Sequence, residues 1–192
     1  MDLGLKQKVA LVSGASRGIG LRIARALAEE GARLCLSGRT AETLEAVGAE
    51  LSEAGAEVEI YVGDMTDTAA ADACVVAAVE RFGRLDIVIN NVGGSVWTPF
   101  GDVSDEEWLH VFNLSFFSAV RVSRAAFPHL ERSEGGNIVN ISSIFGRESG
   151  GPISYNAAKA AMISMSANLA REAAAKGIRV NSVAPGSIVF PG

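Results

Sequence analysis

The feature that most constrains the fold is a strict alternation of short apolar runs with longer stretches of helical period. Val9-Ala10-Leu11-Val12 is continuous, apolar and closed by Ser13-Gly14, the pattern of a strand buried on both faces. Further strands are predicted at 34–36, 58–62, 85–89, 137–141 and 178–183. Helical patterns fill the gaps at about 18–30, 41–54, 68–82, 105–132 and 153–176. In the first of them Ile19, Ile23, Ala26 and Leu27 share a face, and Gly31 ends the helix. Strands alternating with helices make a parallel sheet covered on both faces. Right-handed crossovers wind it both ways from the centre, so the expected fold is a doubly wound α/β sheet of strand order 3-2-1-4-5-6. No repeat or low-complexity linker interrupts it, and residues 1–192 read as one domain. Ligands in such sheets lie outside the carboxyl ends of the strands, at the switch between strands 1 and 4.

Composition narrows the partners. Apolar residues are 48% of the chain, enough for a sizeable core. The net charge is −5 and no basic block exists to neutralise phosphates, which argues against nucleic acid as the main partner. No apolar run reaches a membrane span, and residues 1–8 hold no secretory apolar region, so a cytoplasmic protein is expected. Cys35 and Cys74 read as buried free thiols. His110 and His129 stand alone on helix faces, and no spacing of His or Cys fits a metal site.

The first strand runs into Ser13-Gly14-Ala15-Ser16-Arg17-Gly18-Ile19-Gly20, a G-x-x-x-G-x-G turn opening the first helix. Glycine permits positive φ and close backbone approach, and the helix start aims free N–H groups at a pyrophosphate. Gly14, Ser16, Arg17, Gly18, Ile19 and Gly20 are therefore candidate nucleotide contacts. A P-loop nucleotidase is a weak alternative, because no Gly-Lys-Ser/Thr closes the turn. At the end of strand 2 an acidic residue would hold a ribose 2'-hydroxyl. The chain has Ser37-Gly38-Arg39-Thr40 instead, and Arg39 and Arg17 suit a 2'-phosphate. The expected cofactor is NADP(H) in preference to NAD(H).

Tyr155 and Lys159 are spaced i, i+4 near the start of the last helix and share a face. An ammonium beside a phenol lowers its pKa and makes Tyr155 a candidate general acid–base for a carbonyl/alcohol pair. Strand 5 ends in Asn140-Ile141-Ser142-Ser143 on the ligand side, and Ser142, 13 residues before Tyr155, is the candidate to hold a substrate oxygen. Gly94, Ser95, Val96 and Trp97 are candidate walls of a partly apolar pocket.

Taken together, Gly14-x3-Gly18-x-Gly20, Asp64, Asn90-Asn91-Val92-Gly93, Asn113, Ser142, Tyr155-x3-Lys159 and Pro185-Gly186 resemble the classical short-chain dehydrogenase/reductase family. Within it the chain looks most similar to 3-oxoacyl-[acyl-carrier-protein] reductases. The resemblance implies hydride transfer between a nicotinamide and a carbonyl or secondary alcohol. It implies Tyr155 as acid–base, Lys159 lowering its pKa and binding the nicotinamide ribose, Ser142 holding the carbonyl, and Asn113 anchoring a water. It further implies Asp64 and Met65 at the adenine, Asn91 and Gly93 along the cofactor, and Ile188 near the carboxamide. A homodimer or homotetramer packed through the 105–132 and 153–176 helices is expected, with a small-molecule substrate.

Two departures stand out. The family's Asn-Asn-Ala-Gly reads Asn90-Asn91-Val92-Gly93 here, and the sequence stops at Gly192, shortly after Pro185-Gly186. Family members continue with a substrate-covering segment, a further helix and a seventh strand. The expectation is a chain lacking them, with strand 6 an open edge. A cofactor-binding module without turnover is the alternative function.

Overall fold

In the computed structural model of the chain, residues 3–189 are described; Phe190, Pro191 and Gly192 of the terminal stretch lie outside them. Six strands form one sheet: β1 (Val9–Ser13), β2 (Arg33–Gly38), β3 (Val58–Val62), β4 (Ile87–Asn90), β5 (Asn137–Ile141) and β6 (Arg179–Val183). Their order is β3-β2-β1-β4-β5-β6, and every pairing is parallel. The helices are α1 (Gly18–Glu29), α2 (Ala41–Glu53), α3 (Thr68–Phe82), α4 (Asp105–Phe112), α5 (Ser118–Glu131) and α6 (Ile153–Ala174).

The alternation of side chains along β1 divides the core into two layers. Val9 and Leu11 pack with Val88, Ile138, Val75 and Leu130 on the α3–α5 side. Ala10 and Val12 pack with Leu34, Leu36, Ile89, Leu44 and Ala24 on the α1–α2 side. Cys35 and Cys74 are free and fully buried in the first layer, the Cys35 thiol 3.9 Å from the Cys74 carbonyl.

Three predicted boundaries shift. The fourth strand begins at Ile87 rather than at residue 85. Asp86 is instead a buried anchor: its carboxylate accepts from Val9 N–H at 2.9 Å and pairs with Arg84 at 2.6 Å. The second strand extends to 33–38. The predicted 105–132 helix is interrupted by a π turn, Asn113–Phe117, where Ser118 N–H bonds the Asn113 carbonyl five residues back. Apolar periodicity cannot report such a turn, because the aromatic ladder Trp108, Phe112 and Phe116 runs through it at i, i+4 spacing. No helix among the described residues is long and apolar enough to cross a membrane.

Candidate active site

The glycine turn is built by close approach. Gly14 has φ +66° and Gly18 φ +59°, both in the region that L side chains rarely adopt. A Cβ on Gly20 would lie 2.2 Å from the Gly14 carbonyl oxygen and 2.5 Å from Asn91 Nδ2, so α1 docks onto the turn only with glycine there. Asn91 completes the junction: Nδ2 donates to the Gly14 carbonyl at 3.0 Å, and its N–H donates to Ser13 Oγ at 3.0 Å. Asn91 thus braces the turn from β4. The N-termini of α3 and α4 are capped by Asp67 and Ser104, but α1 has no side-chain cap and no acidic residue in its first turn. The field of such an N-terminus favours a negatively charged group.

A cleft of about 540 Å³ runs from this turn across the strand ends. Gly14, Ser16, Arg17, Gly18 and Ile19 line it together with Arg39, Asp64 and Met65, and Asn91, Gly93, Tyr155 and Lys159 line its far end. Gly20 lies behind the turn and acts through packing. Asp64 Oδ1 accepts from Thr66 N–H at 2.9 Å, an Asx turn, while the α3 cap is Asp67. Arg39 stands 3.8 Å from Asp64, with both side chains substantially exposed. Such a pair contributes little and is readily exchanged for a stronger anion.

At the far end the structure corrects two expectations. The first is the serine. Ser142 is buried and its hydroxyl donates to the Lys159 carbonyl at 3.0 Å. Gly146 presses on the same place, where a Cβ would sit 2.8 Å from Lys159 C. Ser142 is therefore a strut holding α6 against the strand end. Ser143 is the hydroxyl beside Tyr155: it lines the small pocket with the phenol, pulls the phenol pKa down, and accepts from Phe145 N–H at 3.2 Å. The signal was strand parity. Asn140 and Ser142, two residues apart, point to the α6 side, where Asn140 Nδ2 donates to Ser166 Oγ at 2.8 Å. Ser143 points the other way.

The second correction concerns charge. Lys159 is 2% exposed, and its Nζ donates to the Ile141 carbonyl at 2.7 Å. Nζ sits 5.6 Å from the centroid of the Tyr155 ring. Burial lowers the Lys159 pKa from its usual 10.5 to about 8. Burial likewise raises the Tyr155 phenol above its usual value, and the Ser143 bond opposes this only in part. Desolvation is the larger influence on the phenol, and Ser143 the smaller one opposing it.

A smaller pocket of about 280 Å³ opens beside Tyr155 and Ser143, walled by Ile144, Phe145 and Pro152. Of the predicted walls, Gly94 and Ser95 line it; Val96 and Trp97 are exposed and do not. Ile188 is 49% exposed and lines neither cavity, whereas Gly186 and Ser187 line the smaller one. Asn113 opens the π turn and is half-buried.

A family profile described as short chain dehydrogenase matches residues 8–190. The chain is 39% identical over 187 residues to the 1,6-dihydroxycyclohexa-2,4-diene-1-carboxylate dehydrogenase of Acinetobacter baylyi, a match covering 97% of this chain and 71% of that protein. It is 35% identical over 196 residues to the 3-oxoacyl-[acyl-carrier-protein] reductase of Vibrio cholerae, covering 97% and 75%. Among solved structures, L-sorbose reductase from Gluconobacter frateurii, complexed with NADPH and L-sorbose, superposes with a TM-score of 0.96 at 35% identity, over all of this chain and 73% of that one. With its sheet order, its glycine turn and a profile match over nearly its whole length, the chain belongs to the short-chain dehydrogenase/reductase family of oxidoreductases.

Proposed function

We propose that the chain is an NADP(H)-dependent oxidoreductase that interconverts a carbonyl compound and its secondary alcohol, with Tyr155 as the acid–base. The observation that carries this reading is the Tyr155 phenol, which lines both the long cleft and the small pocket and has Ser143 beside it in the latter. In the reducing direction a carbonyl oxygen between the two hydroxyls accepts a hydrogen bond from Ser143 and the proton of Tyr155. Lys159, one turn further along α6, stabilises the phenolate that results. When bound, the nicotinamide supplies or takes up the hydride at the substrate carbon. Gly14, Gly18 and the free α1 N-terminus fit its pyrophosphate, and Asp64 and Met65 flank the adenine end.

The serine assignment has a direct test. Ser143→Ala is expected to lower kcat by roughly 100-fold without loss of melting temperature, since it removes one oriented donor. Ser142→Ala is expected to act mainly on stability, costing about 1–2 kcal/mol for the strut to α6. Stopped-assay kinetics and thermal melts on both variants decide; the reverse pattern returns the role to Ser142.

NADP(H) is preferred because Arg17 and Arg39 are exposed at the cleft, and among the described residues lining it the only acid is the weakly paired Asp64. A screen of carbonyl compounds with NADPH and NADH is expected to give turnover with a clear NADPH preference. Arg39→Ala should raise KM for NADPH about tenfold or more, the effect of one charge-assisted bond, and leave KM for NADH within about twofold. A parent chain that favours NADH overturns the cofactor assignment. NADPH binding without consumption over the whole panel overturns the enzyme reading.

A further inference from the structure

Ser115 sits in the middle of the π turn, fully buried, with its hydroxyl in two bonds to one residue. It donates to the Gly94 carbonyl at 2.8 Å and accepts from the Gly94 N–H at 3.1 Å. The contrast with Ser118 is informative. Ser118 Oγ bonds the Leu114 carbonyl at 2.6 Å within its own helix, the ordinary use of a helical serine. Ser115 bonds out of its helix, into the loop after β4.

That loop is the partition between the two cavities. Gly93 lines both, and Gly94 and Ser95 line the smaller. It has no regular structure and carries no side chain at 93 or 94 with which to anchor itself. Its approach to the site is close: a Cβ on Gly93 would lie 3.2 Å from Lys159 Nζ and 3.6 Å from Ser115 Oγ. A Cβ on Gly94 would lie 3.0 Å from Leu114 Cδ2. The two-way bond from Ser115 is the only side-chain grip on Gly94 among the described residues. π turns recur at functional sites, and here the widened turn directs a serine at the partition.

We propose that Ser115 is a positioning residue, fixing Gly93 and Gly94 against Lys159 so that cofactor and carbonyl meet at a set separation. The inference rests on the oxidoreductase reading above. It assigns Ser115 no contact with substrate.

The test uses the whole chain with Ser115→Ala and Ser115→Thr, the best carbonyl from the screen, and NADPH. Ser115→Ala is expected to lower kcat about tenfold or more, because small misplacements near reacting atoms are costly. KM for NADPH should stay within about threefold, since the glycine turn and arginines are untouched. Ser115→Thr keeps the hydroxyl and should restore most of kcat. Amide exchange at Gly94 should accelerate in the alanine variant and return towards the parent rate in the threonine variant. A kcat within about twofold of the parent for Ser115→Ala overturns the proposal. So does a threonine variant no better than alanine, or a kcat loss matched by equal losses in NADPH affinity and melting temperature. If the parent chain reduces no carbonyl, the oxidoreductase reading has failed on its own. Gly94 exchange then decides, and no acceleration in Ser115→Ala refutes the clamp.

Discussion

Tyr155→Phe is expected to reduce turnover by about a thousandfold while leaving NADPH affinity within about twofold. The substitution removes one oxygen and nothing else. The ring stays, and with it the packing of a half-buried side chain and the contact with Lys159 Nζ at 5.6 Å. What is lost is the proton that burial keeps on the phenol and the partner of the Ser143 hydroxyl. The glycine turn, Arg17 and Arg39 line the other end of the cleft, so the binding of the phosphates does not register the change. Fluorescence titration of NADPH and single-turnover assays separate the two effects. A variant that keeps more than about a tenth of parental kcat removes Tyr155 from the acid–base role. A variant whose turnover and NADPH affinity fall together points to a packing role for the ring.

The fold was legible because its determinants are local and periodic. Six apolar runs and intervening helical stretches fix which residues pair, and the handedness rule for crossovers fixes the order β3-β2-β1-β4-β5-β6. The glycine turn was legible for the same kind of reason, since glycine is favoured at the φ +66° of residue 14 and the 2.2 Å approach a Cβ at residue 20 would make leaves room for nothing else. The failures depend on contacts between elements distant in sequence, or on burial, which the sequence does not show. Counting 13 residues back from Tyr155 finds Ser142, but parity along β5 turns that hydroxyl into α6 and leaves Ser143 facing Tyr155. The π turn is invisible to an aromatic ladder that keeps its spacing through it. Ser115 has no sequence signal at all, since its partner is the backbone of Gly94, 21 residues away. The direction of the Tyr155 shift was misjudged because spacing shows a neighbouring charge and does not show burial.

Lys159→Met should abolish turnover and at the same time make the folded chain more stable at neutral pH. Lys159 is 2% exposed, and burial holds its pKa at about 8, against 10.5 for an ordinary lysine. Below pH 8 the ammonium is charged in both states, and the folded chain carries the whole cost of keeping it out of water, about 3 kcal/mol. Between pH 8 and 10.5 the unfolded chain binds more protons than the folded one, so raising the pH favours folding and the cost declines. Methionine has a similar length and no charge, so it escapes that cost, and gives up the bond from Nζ to the Ile141 carbonyl, worth about 1 kcal/mol. The expected balance is a gain of roughly 2 kcal/mol at pH 7, a melting temperature about 5 °C higher. The gain should shrink from pH 8, vanish at pH ~10 where the remaining cost equals the lost hydrogen bond, and turn into a small deficit by pH ~10.5. Thermal melts of both proteins from pH 6 to pH 10.5 measure it, and an equal difference at every pH, or a variant less stable at pH 7, contradicts the assignment of a strained ammonium. If the pattern holds, the charge persists for chemistry: a fold selected for stability alone would not bury an amine against a tyrosine ring, and the strut from Ser142, the pressure of Gly146 and the loop held by Ser115 all converge on keeping it there.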